Sequence, residues 1–420
     1  MKWSRVGGQY LGRREGGVRD RPSAERLSVM RILVVSLSTY SSAENRAKLE
    51  SLARRVDRLT AVSADISTMW GASVPPVSET GYEFHLLEAR AGWAGPGFVT
   101  LRRLAGVVAQ AEPHAVHIEA EPWQAVTLQT LALARRRGVP VGVQFAETGP
   151  QMGGPSGRLR AAVARRVLRR CDYAIGWSRG SARLASVLAP DIRVLTMPGT
   201  GYEPVQSLSG APSGSESRCR WFGNRLAGSY AVSFIGRLAR EKGVHDLMLA
   251  CDELSRRLDI RVAIVGIGPL EHYVRIWART RPWVHVHGLV SRREAIQCAA
   301  NSDLVLIPSR STRKEREQFG KTAMEAMAVG TPVVCYACGA LPEVVGSGGT
   351  VVPEGDLNGL VAAAEASLKQ SVLERRCLAV RAKARAADFS SERLAEGLVS
   401  LWSDLLQRCL PQDCAGNRAL

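Results

Sequence analysis

The chain contains no run of 18 apolar residues, so no segment reads as a transmembrane helix. Its first 29 residues lack an apolar stretch and do not read as a signal peptide. Acidic residues are scarce relative to basic ones, 39 Asp and Glu against 56 Lys and Arg, a net charge of +17. That surplus calls for an acidic partner: a phosphorylated small molecule, an anionic membrane surface or nucleic acid. Cysteines number nine, too few and of the wrong parity for a disulfide framework. Cys171, Cys251, Cys298 and Cys377 are expected to be reduced, buried thiols of a cytosolic protein. The one CxxC, Cys335 to Cys338, has no second pair at zinc spacing and reads as small residues after a buried strand. What is present is an ordinary globular balance, 45% hydrophobic and 23% charged, which excludes disorder along the whole chain. At 420 residues, two or more domains are expected.

Short runs rich in Val and Ile alternate with helical patterns. Candidate strands in the first half are Ile32–Ser38, Leu59–Ser63, Phe84–Leu87, Val116–Ile118, Val139–Phe145, Tyr173–Trp177 and Ile192–Thr196. Residues 43–56 lie between two of them with Leu49, Leu52, Ala53 and Val56 at helical spacing. Such alternation predicts a parallel sheet covered by helices on both faces. Residues 205–228, rich in Ser and Gly, read as a linker. A second alternation follows, through Tyr230–Ile235, Arg261–Val265, Val284–Val286, Leu304–Ile307, Pro332–Cys335 and Gly349–Val352. The fold class is therefore α/β, with two tandem Rossmann-like doubly wound domains. The expected division is an N-terminal extension, 1–29, disordered; a first domain, 30–204; the linker, 205–228; a second domain, 229–388; and a C-terminal helix, 389–420, packing back on the first domain. Ligands of such sheets sit off the carboxyl ends of the strands, and the cleft between two domains is the default site.

Chemistry-bearing residues concentrate in the second domain. Phe234-Ile235-Gly236-Arg237-Leu238-Ala239-Arg240-Glu241-Lys242-Gly243 follows its first strand. Gly236 permits a tight turn, and Arg237 and Lys242 project where a helix begins, an arrangement suited to an anion. Val265-Gly266-Ile267-Gly268-Pro269 ends the next strand. Gly266 and Gly268 would let backbone approach a ligand, but position 271 is Glu, so the dinucleotide fingerprint is incomplete. Glu317 and Glu325 stand eight residues apart around Phe319, Gly320 and Lys321. On one helix they would point in different directions. Glu317 is thus placed before a helix, Gly320 at the bend and Glu325 within it. Glu317 could accept hydrogen bonds from a polyol, while Gly320 and Lys321 expose backbone N–H groups to a phosphate.

These motifs, with Gly288-Leu289-Val290-Ser291 and Gly339-Ala340-Leu341-Pro342-Glu343-Val344-Val345, resemble in order and spacing the retaining nucleotide-sugar glycosyltransferases of the two-Rossmann GT-B architecture, family 4. The resemblance is strong over residues 230–360 and weak over 30–200. It implies that the two domains face a central cleft and that Arg237 and Lys242 neutralise the donor diphosphate. It further implies that Glu317 binds the transferred sugar, Glu325 the ribose, Phe319 and Gly320 the sugar and phosphates, and Leu289 and Val290 the base. No Asp-x-Asp occurs in the chain, the usual metal–diphosphate device of the other major glycosyltransferase fold. Metal-independent transfer with retention, and no cofactor beyond the donor, is the simpler expectation. Ser291 with Glu294 also forms a capping-box pattern.

The first loop departs from the family, reading Ser38-Thr39-Tyr40-Ser41-Ser42 in place of paired glycines. Residues 310–316 form a longer basic insertion before Glu317. His117, Glu121 and Glu147 end strands of the first domain and are candidates for the acceptor side. Residues 157–170 form a basic amphipathic helix with Leu159, Val163 and Val167 on one stripe; it could rest on anionic lipid or simply present a solvated face. Nucleic acid is excluded by the absence of any motif or stacking pattern. The expected function is transfer of a sugar from a nucleotide-diphosphate donor to a lipid-linked or polysaccharide acceptor, in the cytoplasm or at the inner face of its membrane. A catalytically silent GT-B protein that binds a partner or the membrane surface, and a nucleotide-sugar epimerase, are the alternatives.

Overall fold

The computed structural model describes residues 2–6, 9–13, 29–37, 45–65, 81–90, 96–149, 154–199, 201, 215–223, 228–313 and 315–409. The serine-rich loop of residues 38–42, expected on the acceptor side, lies outside them. The chain divides into two compact units, one of Met1–Gly201 with Ser391–Leu420 and one of Tyr202–Ser390.

The extension expected to be disordered contains a ribbon, β1 (Lys2–Val6) pairing antiparallel with β2 (Gln9–Arg13). The first unit then continues through β3 (Arg31–Ser36), α1 (Ala47–Ala53), β4 (Arg58–Asp65), β5 (Glu83–Arg90) and β6 (Thr100–Leu101). Next come α2 (Leu104–Ala111), β7 (Ala115–Glu119), α3 (Ala125–Arg136), β8 (Val141–Phe145) and α4 (Gly154–Leu168). It proceeds to β9 (Tyr173–Gly176), α5 (Arg179–Leu188) and β10 (Arg193–Thr196). The sheet order is β10-β9-β8-β7-β3-β4-β5-β6, parallel except for β6.

Alternation along β3 divides the core in two, as a strand period of two demands. Leu33 and Val35 join the helices α3, α4 and α5 through Val126, Leu131, Ala164, Val167, Ala185 and Leu188. Ile32 and Val34 face Leu49 and Leu52 of α1 on the other side. Sequential strands β7 to β10 advance in one direction along the sheet, so right-handed crossovers set α3, α4 and α5 side by side on one face. On α4 the buried residues are Gly157, Ala164, Val167 and Leu168. Leu159, expected on the inward stripe, is instead 66% exposed, because five residues separate it from Ala164 and turn it away from that face.

The second unit opens with α6 (Ser215–Phe222), inside the segment expected to be an irregular linker. Trp221 and Phe222 are fully buried there, so the aromatic pair gives the segment a hydrophobic anchor that its Ser- and Gly-rich beginning hides. Then follow β11 (Tyr230–Ile235), α7 (Val244–Arg257), β12 (Ile260–Val265), α8 (Glu271–Ala278) and β13 (Val284–Val286). After them come α9 (Arg292–Ala300), β14 (Leu304–Ile307), α10 (Lys321–Val329), β15 (Val333–Tyr336) and α11 (Leu341–Val345). The unit ends with β16 (Thr350–Val352), α12 (Leu357–Leu368) and α13 (Val372–Ala387). The order β13-β12-β11-β14-β15-β16 is the 3-2-1-4-5-6 arrangement of a doubly wound sheet. Its topological switch point lies between β11 and β14. Cys171, Cys251, Cys298, Cys335 and Cys338 are buried, whereas Cys377, expected to be buried, lies exposed on α13.

The chain finally returns as α14 (Ser391–Cys409) to the first unit. Leu394, Leu398, Leu401 and Trp402 enter the core beside α1. Arg54 and Arg55, just after α1, pair with Glu392.

Candidate functional site

At the switch point of the second unit a small pocket opens, of about 100 Å³. Its walls come from the end of β11 (Phe234, Ile235, Gly236), the end of β14 (Ile307, Ser309) and the start of α10 (Gly320, Lys321, Thr322), with Lys242 and Glu317. The sequence builds this locally. Gly320 caps α10 with φ +89°, a left-handed conformation that favours glycine, and so turns the chain into the helix. The Thr322 hydroxyl donates to the Ile235 carbonyl at 3.2 Å and ties the helix start to the strand end. The α10 N-terminus, with its unsatisfied N–H groups, therefore borders the pocket, an arrangement that favours an anion.

Two opposite charges meet inside. Lys242 Nζ donates to Glu317 Oε2 at 2.7 Å, and the Ser309 hydroxyl donates to the same oxygen at 3.2 Å. The Glu317 carbonyl accepts the Ala340 N–H at 2.9 Å, so the Gly339–Ala340 segment holds the backbone of this acid. Arg237, next in sequence to Gly236 but not itself among the lining residues, is about half exposed, pairs with Glu241 and lies 3.4 Å from Glu315. Glu325 is nearly buried on α10, and Arg292 Nε donates to its Oε1 at 2.6 Å.

Of the residues expected from sequence, Gly236, Lys242, Glu317, Gly320 and Lys321 thus line one pocket. Phe319 does not line it; its ring is buried against Phe389 at 5.4 Å between centroids. Gly266 and Gly268 serve a different close approach from the one expected. A Cβ on Gly266 would strike the Gly236 carbonyl, and one on Gly268 the Leu238 backbone. Gly266 also holds φ +135°. These glycines let the β11 and β12 loops pack on each other, joined by Leu238 N–H to the Ile267 carbonyl at 2.9 Å. Leu289 is 77% exposed, and Val290 packs beside the Trp221–Phe222 cluster. Among the described residues, no group of three or more His, Cys, Asp or Glu side chains could hold a metal ion.

In the first unit, His117 does not face a ligand as expected. It is fully buried in β7, with Nδ1 2.9 Å from the Tyr173 hydroxyl and Nε2 3.1 Å from Gln144 Oε1. Trp402 Nε1 donates to the same Tyr173 hydroxyl at 2.8 Å. The switch point of this sheet, between β3 and β7, is occupied by a buried ion pair of Lys48 and Glu119. Burial opposes ionisation of Glu119, but the Lys48 charge and the His117 hydrogen bond outweigh it and hold the carboxyl at about 2. Lys48 also donates to the Gly199 carbonyl at 2.9 Å. Two residues on, Glu121 behaves oppositely: burial and the nearby Glu147 charge push it up to about 7, against N–H bonds from Ala146 and Glu147. Glu147 accepts from the N–H groups of Thr148 and Gly149 at 3.0 and 2.8 Å. Glu121 and Glu147 are thus brought together at the carboxyl ends of β7 and β8.

Sequence reasoning missed Ser309, Arg292, Lys48 and the Glu119 pairing. Ser309 had a signal, since it directly follows a buried strand. Arg292 and Lys48 look like ordinary basic residues of amphipathic helices.

Comparison with known proteins follows the same division. A family model described as "Glycosyl transferases group 1" matches residues 229–370, and one described as "Glycosyl transferase 4-like domain" matches residues 42–200. A putative colanic acid biosynthesis glycosyltransferase, WcaL, of Salmonella typhimurium is 32% identical over 176 residues, 40% of this chain and 43% of that protein. A D-inositol 3-phosphate glycosyltransferase of Corynebacterium diphtheriae is 32% identical over 228 residues, 51% of each chain. The chain spans about half the length of these curated relatives. The crystal structure of Anabaena HepE in complex with UDP and glucose superposes with a TM-score of 0.64 at 18% identity, covering 89% of this chain and 100% of that one.

Proposed function

Because the chain belongs to the group 1 glycosyl transferases and carries their GT-B architecture of two Rossmann-like units, we propose that it transfers a sugar from a nucleoside diphosphate sugar to a glycan or lipid-linked acceptor. The observation that carries this reading is the convergence of Gly236, Lys242, Glu317, Gly320 and Lys321 on one pocket at the switch point of the second sheet. Departure of the diphosphate builds negative charge, which Lys242, Arg237 and the α10 N-terminus are placed to stabilise. Glu317, an acceptor-only carboxylate, takes hydrogen bonds from sugar hydroxyls, and Lys242 moves its contact from Glu317 to the phosphate. Glu325 takes the ribose. With these cations supplying the electrostatics, the transfer needs neither metal nor cofactor. The acceptor attacks from the face the leaving group departs from, so the anomeric configuration is retained. Glu121 and Glu147 in the first unit are the groups we assign to the acceptor.

The acceptor is presented at the inner face of an anionic membrane, and the charge distribution supports this. Residues 122–190 hold eleven arginines, no lysine, and only Glu147 and Asp172 as acids. Ten of the arginines are exposed, on or directly beside α3, α4 and α5, which share one sheet face. A guanidinium fork matches phosphate geometry better than a lysine ammonium does.

The donor half is tested by a thermal-shift screen of nucleoside diphosphates on the whole chain. The expected result is stabilisation by one base above the others, about 2–3 kcal/mol at a hundred times its Kd. No shift with any of them would remove the donor reading.

A further inference from the structure

We propose that Arg292 is a positioning residue. It fixes Glu325 against the donor ribose, so that the site accepts ribonucleoside diphosphates and rejects analogues lacking the ribose hydroxyls. The proposal rests on the donor reading of this pocket. Glu325 lies one helical turn along α10 from Lys321, which lines the pocket. Arg292 is the first residue of α9 and follows, one residue on, Leu289 and Val290, which the family resemblance assigns to the base. The bond between them, 2.6 Å from Nε to Oε1, joins side chains that are 19% and 11% exposed. On the donor reading, one contact therefore links the start of α9, after the base loop, to the acid assigned to the ribose.

Further bonds surround the pair. Ser291 and Glu294 form a reciprocal capping box that fixes the start of α9. Arg220 of α6 holds Glu294 from the other side. The Thr331 hydroxyl, just beyond α10, donates to the Ala299 carbonyl of α9 at 2.7 Å.

The chemistry follows from what an ionised carboxylate can do. It only accepts hydrogen bonds. The charge-assisted bond from Arg292 keeps it aimed. Two vicinal ribose hydroxyls supply donors to such a group. A sugar without them leaves a largely desolvated carboxylate short of partners, a penalty larger than the bonds are worth in water.

The test uses the full chain and calorimetric titration with the ribonucleoside diphosphate preferred in the screen, alongside its 2′,3′-dideoxy analogue. The wild type should bind the ribo form at least about tenfold more tightly. Arg292→Gln should bring the two within about threefold by weakening the ribo form alone, and Glu325→Gln should do the same. Arg292→Lys, which keeps the charge but not the planar fork, should fall between. A merely structural role would weaken both ligands alike and preserve their ratio. An undiminished ratio in Arg292→Gln, or in Arg292→Lys if the glutamine variant does not fold, overturns the proposal. So does a wild type that binds both forms equally. In either case the binding itself leaves the donor reading standing. Absence of binding by any nucleoside diphosphate removes that reading and this one together.

Discussion

Glu119 and Glu121 stand two residues apart at the end of β7, yet their surroundings drive them in opposite directions. Glu119, at about 2, is ionised in the folded chain, and its contribution to stability is lost only as pH falls from about 4 towards 2. Glu121, at about 7, binds its proton more tightly when folded than when unfolded. Its stabilising contribution is complete below about pH 4 and is lost as pH rises towards 7. The two windows do not overlap. Glu121→Gln is neutral at every pH and escapes that loss. Relative to the wild type it should therefore gain on the order of 2 kcal/mol between pH 5 and pH 8 in urea unfolding. A stability difference that stays constant over that range would show that Glu121 does not titrate there. The same scale marks how far sequence could reach. Lys242, Glu317 and Gly320 were legible because each belongs to a local motif whose spacing dictates a turn or a helix start. Lys48, Arg292 and Glu315 were not, because their partners lie 71, 33 and 78 residues away. No local pattern specifies such distant pairs; only the folded sheet order brings them together.

At the scale of elements, strand placement was readable almost throughout, since a buried parallel strand is a bare apolar run. Helix faces were harder to read. On α4, Leu159 fits an inward stripe with Val163 and Val167, and Val167 is buried and Val163 packs on the core, yet Leu159 is exposed and Gly157, Ala164 and Leu168 complete the buried face. Small residues let the helix approach the sheet closely, and apolar periodicity alone does not reveal them. The consequence is an outer surface of Arg158, Arg165, Arg166, Arg169 and Arg170 around an exposed Leu159. Such a surface should hold vesicles of phosphatidylcholine with 30% phosphatidylglycerol, and plain phosphatidylcholine far more weakly. Replacing Arg165, Arg166, Arg169 and Arg170 together by Gln should weaken flotation roughly 100-fold or more, at about 1 kcal/mol for each charge. Flotation unaffected by those changes, or by the presence of anionic lipid, would place the membrane contact elsewhere or remove it. The α6 helix carries a similar lesson. Two buried aromatic residues at the end of a Ser- and Gly-rich stretch outweigh the composition that precedes them.

For the whole molecule, two alternations of strand and helix were enough to expect two doubly wound sheets, and both are present with their switch points at β3/β7 and β11/β14. The two switch points are used differently. In the first unit a buried Lys48–Glu119 pair fills the position where ligands commonly sit. In the second unit the corresponding position is the open pocket with Lys242 and Glu317. The net charge of +17 divides accordingly, a few cations at this pocket and many arginines on one helical face of the first unit. The central claim is that the pocket of the second unit performs sugar transfer from a nucleoside diphosphate donor. Its most direct test is the rate of nucleoside diphosphate release from a bound donor sugar by wild type, Lys242→Ala and Glu317→Ala, each verified as folded by circular dichroism. The account predicts a loss of about 100-fold or more in both variants. Wild-type turnover in both would contradict it.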